Sequence, residues 1–184
     1  NVRPLRPDII IVMHAINDLT MNADHSYFSS GEFRSDYGHN LGPFARLSRT
    51  KPLPELIVDV ARRSWHYPTR KPIDTDQFPG LPTFRRNLRG VATMAREDGT
   101  LVVFMTQGSL YKKKMTEDEK QRLYIPNSNA VGSDSYWTVE TALNGMQRYN
   151  ATTKELATEL GIRLIDLEPL LPKDLSHFND DCHY

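Results

Sequence analysis

One run near the start, Pro7-Asp8-Ile9-Ile10-Ile11-Val12-Met13-His14-Ala15-Ile16-Asn17-Asp18, restricts the fold more than any other stretch. Proline cannot donate to a sheet ladder, so Pro7 marks a strand start. The apolar residues Ile9 to Met13 follow without alternation. A short β-branched run with no polar face predicts a strand covered on both sides, as in a parallel sheet. The run stops at a small residue, Ala15, and at two polar ones, Asn17 and Asp18. Ligands of open α/β sheets bind beyond the carboxyl ends of strands, so Asn17 and Asp18 stand where chemistry is expected. The same pair equally suits a strand end that caps the next element.

Two further units of helix followed by buried strand lie downstream. Phe84, Leu88, Val91, Ala92 and Ala95 keep helical spacing, predicting a helix over about 83–98 that ends at Gly99. Arg85, Arg86, Arg89 and Arg96 fall on its outer face. Leu101-Val102-Val103-Phe104-Met105 then reads as a second strand, with Thr106-Gln107-Gly108-Ser109 at its carboxyl end. A nucleophile elbow needs glycines flanking the serine, and Leu110-Tyr111 follow instead. Ser109 is therefore a candidate for lining a site, not for attack. Thr116 and Glu119 form a capping box opening a short helix to about residue 124. Ser133 or Asp134 caps a long helix to about residue 160, with Trp137 in its buried stripe. Gly161 ends that helix, and 162–167 is a third strand. Repeated helix–strand order is the grammar of right-handed crossovers in a parallel sheet.

Between the first strand and these units lies an irregular region, about 19–82, rich in glycine and proline. One amphipathic helix fits inside it at about 53–63, on Leu53, Leu56, Ile57 and Val60. A connection this long is uncommon unless functional or disordered. It carries Tyr27, Phe28, Trp65, His66 and Tyr67 among several arginines, a composition that suits a lid over a substrate. Trp65 and Tyr67 are its candidate substrate contacts; an ordinary packed excursion is the competing reading.

Charge excludes one class of partner. Lys plus Arg equals Asp plus Glu, 23 each, which lacks the basic footprint of a nucleic-acid binder. Lys112-Lys113-Lys114 reads as a solvated loop. No apolar run approaches the roughly 20 residues needed to span a membrane. The single cysteine, Cys182, rules out an internal disulfide and a Cys-based metal cage. The tail, Ser176-His177-Phe178-Asn179-Asp180-Asp181-Cys182-His183-Tyr184, sets Asp180 three residues before His183. That spacing lets a carboxylate reach the imidazole of its own turn, fixing the tautomer and leaving the other ring nitrogen as a base. His177, Asp181 and Cys182 lie close by, but no zinc spacing is obeyed, and no metal is expected.

Taken together, the two ends resemble the SGNH (GDSL-type) hydrolase superfamily. Ala15-Ile16-Asn17-Asp18 after a strand is similar to the family's Gly-x-Asn-Asp block. Asp180-Asp181-Cys182-His183 is similar to its late Asp-x-x-His block. The resemblance implies a three-layer α/β/α fold with a parallel, flavodoxin-like sheet, here one partial domain over 1–184 with the lid-like insertion. It further implies that Asn17 is an oxyanion-hole donor, His183 the general base and Asp180 its orienting carboxylate. Ala15 stands where the family usually has glycine. The family's Gly-Asp-Ser block, which holds the nucleophile, does not occur in the sequence.

The implied activity is hydrolysis of a carboxylic ester by a Ser-His-Asp triad whose serine lies upstream of these residues. These residues alone are then expected to be inactive. No cofactor is implied. The implied partner is a small-molecule or carbohydrate ester, with an acetylated carbohydrate preferred because the lid is aromatic and arginine-rich. An O-acetyltransferase on the same fold, and a non-catalytic binding module, are the alternatives. If strands are missing upstream, Ile9–Met13 is an edge strand that pairs on one side and exposes apolar side chains.

Overall fold

The computed structural model describes residues 5–21, 71–123 and 135–184. In chain order the elements are β1 (Ile9–Met13), α1 (Ile16–Met21), β2 (Lys71–Ile73), α2 (Leu81–Glu97), β3 (Leu101–Met105), α3 (Glu117–Arg122), β4 (Ser135–Trp137), α4 (Val139–Leu160) and β5 (Arg163–Ile165). A 3₁₀ turn, Glu168–Leu170, follows. The central sheet is parallel throughout, in the order β1-β3-β5, with Ile9 opposite Leu101 and Val103 opposite Arg163. A separate parallel pair joins β2 to β4. Mixed helices and a small parallel sheet make this an α/β protein.

The helices form where the sequence provides their ends. Pro82 sits in the first turn of α2, where its missing N–H costs nothing. Gly99 accepts a φ of +72° just beyond the other end. Phe84, Leu88, Ala92 and Ala95 are buried on the inner stripe. Three of the four arginines of the outer stripe bridge to α4 rather than simply facing water: Arg85 and Arg89 both hold Glu159, and Arg96 donates to the Leu160 carbonyl. At α3 the capping box is present in both directions. The basic run beside it is only partly solvated, because Lys112 Nζ donates to Glu119 Oε1 at 2.6 Å and to the Lys173 carbonyl at 2.7 Å.

The start of α4 differs from expectation. Thr138, not Ser133 or Asp134, is the N-cap, its hydroxyl accepting from the Thr141 N–H at 3.1 Å. Trp137 therefore lies in β4, before the helix, and packs edge-on against Phe78 with centroids 6.0 Å apart. Adjacent aromatics favour an extended backbone, and a threonine immediately after them is competent to cap. The left-handed Gly161, φ +62°, closes the far end as expected.

The core lies on one face of the sheet, under α2 and α4, where Phe84 meets Tyr149 at 4.8 Å. Val102 and Phe104 are buried there, and Ile10 and Val12 pack against the same cluster. The alternate residues point the other way. Ile9 is 54% exposed, Ile11 56% and Leu101 42%. Coverage of β1 on both sides is thus not what the described residues provide: one face is packed and the other open. Among them β1 pairs with β3 alone, as an edge strand does. The proposed helix at 53–63 and most of the lid-like stretch lie outside the described residues. No described helix is long and apolar enough to cross a membrane.

Candidate functional site

The tail is fastened to the carboxyl ends of β1 and β3. Phe178 is buried beside Gly108; a Cβ on that glycine would stand 2.5 Å from Leu171 Cδ1 and 3.5 Å from Phe178 Cζ. A side chain at this close approach would force Leu171 to move. Leu110 N–H donates to the Asp181 carbonyl at 2.9 Å, and Asn179 N–H to the His183 carbonyl at 2.8 Å. Beneath them the buried Tyr111 hydroxyl donates to Asp181 Oδ1 at 2.8 Å. Burial, then the Asp181 carboxylate, push the Tyr111 hydroxyl well above its usual pKa, so it remains a donor. The last residue crosses to the other strand: Tyr184 packs on Phe178 and its hydroxyl donates to Met13 Sδ at 3.1 Å.

Within that anchored turn Asp180 and His183 meet. Asp180 Oδ1 accepts from the backbone N–H of Cys182 at 3.0 Å and of His183 at 2.9 Å. Its Oδ2 faces His183 Nδ1 at 2.7 Å. Burial raises the Asp180 pKa, but the Cys182 N–H, the His183 ring and the His183 N–H together bring it below the ordinary value. An ionised acceptor on Nδ1 places the proton there and leaves Nε2 outward, on a side chain that is 77% exposed. No partner holds Nε2 among the described residues.

Asn17 reaches the same rim through α1, and here the expected cap is corrected. Asn17 and Asp18 lie inside the first turn of α1, not ahead of it. The orphan N–H of Ile16 is satisfied from a distance, by Gln107 Oε1 at 2.9 Å. Gln107 is held in turn by Asn150 of α4, whose Oδ1 accepts from the Gln107 N–H at 3.0 Å and whose Nδ2 donates to the Gln107 carbonyl at 2.9 Å. This buried chain locks α1 to the end of β3. It leaves the Asn17 side chain exposed, with no hydrogen bond among the described residues.

Asp18 serves a neighbour: its Oδ2 lies 2.5 Å from His14 Nδ1. The hydrogen bond to Asp18 raises the His14 pKa against the opposing effect of burial. Sequence reading did not single out His14, although the spacing of four from Asp18 in the opening run is a visible signal. It also passed over Asp174 and His177, a second Asp-x-x-His pair at 2.8 Å, in which the Ser176 hydroxyl donates to Asp174. Ser109, expected to line the site, is 1% exposed and faces the interior. Trp65 and Tyr67 lie outside the described residues.

Asp180, Cys182 and His183 bring three potential ligand atoms within 4.8 Å of one another. Their chemistry does not favour a metal. Burial, with the charges of Asp180 and Asp181, pushes the Cys182 thiol up to about 12, so in the metal-free turn it is a neutral thiol. Both Asp180 oxygens are already committed to hydrogen bonds. What the rim does provide is an oriented imidazole with a free nitrogen, backed by an ionised carboxylate. Comparisons with protein-family models, curated proteins and solved structures found no match.

Proposed function

We propose that these residues form part of an SGNH-type serine ester hydrolase, with a three-layer flavodoxin-like domain and a lid-like insertion. The observation that carries the reading is the Asp180–His183 pair at 2.7 Å, in a turn fastened to the strand ends from which α1 and Asn17 also project. A backed imidazole with an outward Nε2 suits a general base. An uncommitted amide on the same rim suits an oxyanion donor.

In this reading a serine outside the present sequence attacks the ester carbonyl. Its Oγ–carbon bond forms as His183 Nε2 takes the hydroxyl proton. Asn17 donates to the oxyanion that develops. The intermediate collapses, the carbon–alkoxy bond breaks, and His183 returns its proton to the leaving alcohol. Water repeats the sequence on the acyl-enzyme and frees the acid. No step needs a cofactor. An acetylated carbohydrate is the preferred substrate.

The test uses the full-length protein with 4-nitrophenyl acetate. His183→Ala should remove nearly all turnover. Asn17→Ala should lower kcat by about 10²–10³ with a smaller change in KM, as loss of one oxyanion donor does. Full activity in His183→Ala overturns the reading; absence of turnover in the unsubstituted full-length protein leaves a binding module. Transfer of acetyl to an added sugar in place of water would make the protein an O-acetyltransferase. Esterase activity in residues 1–184 alone, lost in Ser109→Ala, would overturn the placement of the nucleophile.

A further inference from the structure

The described residues hold three imidazole–carboxylate pairs: Asp180–His183, which the proposed hydrolysis uses, Asp174–His177 earlier in the tail, and His14–Asp18. The last of these stands at the end of β1. His14 is the first residue beyond β1, directly after Met13, the residue that Tyr184 touches. It is three positions before Asn17. Its Nδ1 is taken up by Asp18 Oδ2 at 2.5 Å, and its side chain is half exposed. Nε2 has no partner among the described residues.

Asp18 is part of α1, and α1 is fixed to the sheet by the Ile16–Gln107 bond and by Leu19, buried against Gly145 of α4. The imidazole is therefore held by Asp18 with a single open nitrogen, at the carboxyl end of β1 and three positions before Asn17, the proposed oxyanion donor. With Nδ1–H donated to Asp18, Nε2 is an acceptor while the ring is neutral, on the alkaline side of the raised His14 pKa, where the site is expected to select its alcohol. An acceptor at that point has nothing to offer the acyl group of an acetyl ester, which lacks donors. It can receive a hydroxyl of the alcohol part.

We propose that His14, oriented by Asp18, is a specificity-determining residue that accepts a hydrogen bond from a hydroxyl of a polyhydroxylated leaving alcohol, so that the site selects carbohydrate esters over esters of simple alcohols. This rests on the ester-hydrolase reading above. It assigns different work to two similar pairs: His183 moves the proton, and His14 recognises the alcohol.

The experiment compares two substrates in the full-length protein, a partly acetylated xylo-oligosaccharide and 4-nitrophenyl acetate, whose leaving group has no alcohol hydroxyls. In His14→Phe, which removes the acceptor, the ratio of kcat/KM for the sugar ester to that for the aryl ester should fall about tenfold, the worth of one hydrogen bond to substrate. The fall should reside in KM for the sugar ester. His14→Gln, which keeps an acceptor oxygen, should recover part of it. An unchanged ratio overturns the proposal, and so does an equal loss on both substrates, which would put His14 in the proton transfer. His183→Ala, run alongside, reports on the hydrolase reading itself. If it kills both activities while the His14→Phe ratio stays at the wild-type value, the recognition role alone has failed.

Discussion

Replacing Tyr111 by phenylalanine removes one oxygen atom from the centre of the anchor that holds the tail. Tyr111 is fully buried and Asp181 is 2% exposed, so no water replaces the lost donor directly. A buried hydrogen bond to a charged group contributes about 1.5–3 kcal/mol, and stranding the acceptor moves the loss toward the upper end. Asp181 has another partner, which moves it back. We expect Tyr111→Phe to cost about 2 kcal/mol, which at a urea m-value of about 2 kcal/mol/M lowers the midpoint by about 1 M. Urea unfolding followed by tryptophan fluorescence measures it. The effect should also be local. The amides of Leu110, Cys182 and His183, all bonded within or to the turn, should lose hydrogen-exchange protection before those of α2. Adding Asp181→Leu to Tyr111→Phe should recover only part of the loss, since it removes the stranded acceptor but also strands the other partner of Asp181. A midpoint within about 0.2 M of wild type for Tyr111→Phe, well below that expected shift, would refute the claim that this bond anchors the turn.

Four other outcomes follow from named contacts. Thr116→Ala deletes the hydroxyl of the α3 capping box and should cost about 1 kcal/mol in the same urea assay. Gly145→Ala drives a methyl group into Leu19 and Phe78 and should destabilise by about 1–3 kcal/mol, with α1 losing exchange protection first. The lowered pKa of Asp180 means that its stabilising contribution is present above the usual carboxylate range and is lost as pH falls through the lowered value. The acid limb of a stability–pH curve should therefore flatten in Asp180→Asn. His14 has the opposite sign: its raised pKa contributes below the unfolded value and is lost as pH rises through the folded one, and Asp18→Asn should bring its NMR titration down toward the ordinary value.

Local signals in the sequence were sufficient for most of the described elements. β1 and β3 occur at the expected residues because a bare β-branched run has few other uses. The ends of α2 and α4 are marked by Gly99 and Gly161, whose positive φ only glycine adopts cheaply. The Asp180–His183 bond was legible for the same reason: both partners belong to one turn. Expectation failed where the deciding partner was remote. The cap of α1 comes from Gln107, 91 residues away, so Asn17 and Asp18 could be taken for the cap. Ser109 looked available beside Gly108, yet the tail that buries this loop arrives some 70 positions later, as the Tyr111–Asp181 bond shows. For β1 the sequence supported two expectations, coverage on both sides from its bare apolar run and one-sided pairing with exposed side chains if strands are missing, and the described residues show the second.

The rim is rigid for a reason that strand ends impose. Each strand or helix that stops leaves backbone groups unpaired, and a buried orphan is costly, so partners must be supplied from elsewhere. Here the suppliers are the elements that bear the candidate site. Ile16 N–H is satisfied by Gln107, and Gln107 by Asn150, which fixes α1 and with it Asn17. Leu110 N–H is satisfied by the Asp181 carbonyl, which fixes the turn of Asp180 and His183. Asp180 satisfies two N–H groups of that turn while it orients the ring. The bonds that finish the fold at this end are therefore the bonds that set the directions of Asn17 and His183. The exposed groups, the Asn17 amide and His183 Nε2, are the ones with no hydrogen-bond partner among the described residues. Any variant that loosens Gln107, Asn150 or Tyr111 should accordingly reduce activity through kcat before it reduces it through global unfolding.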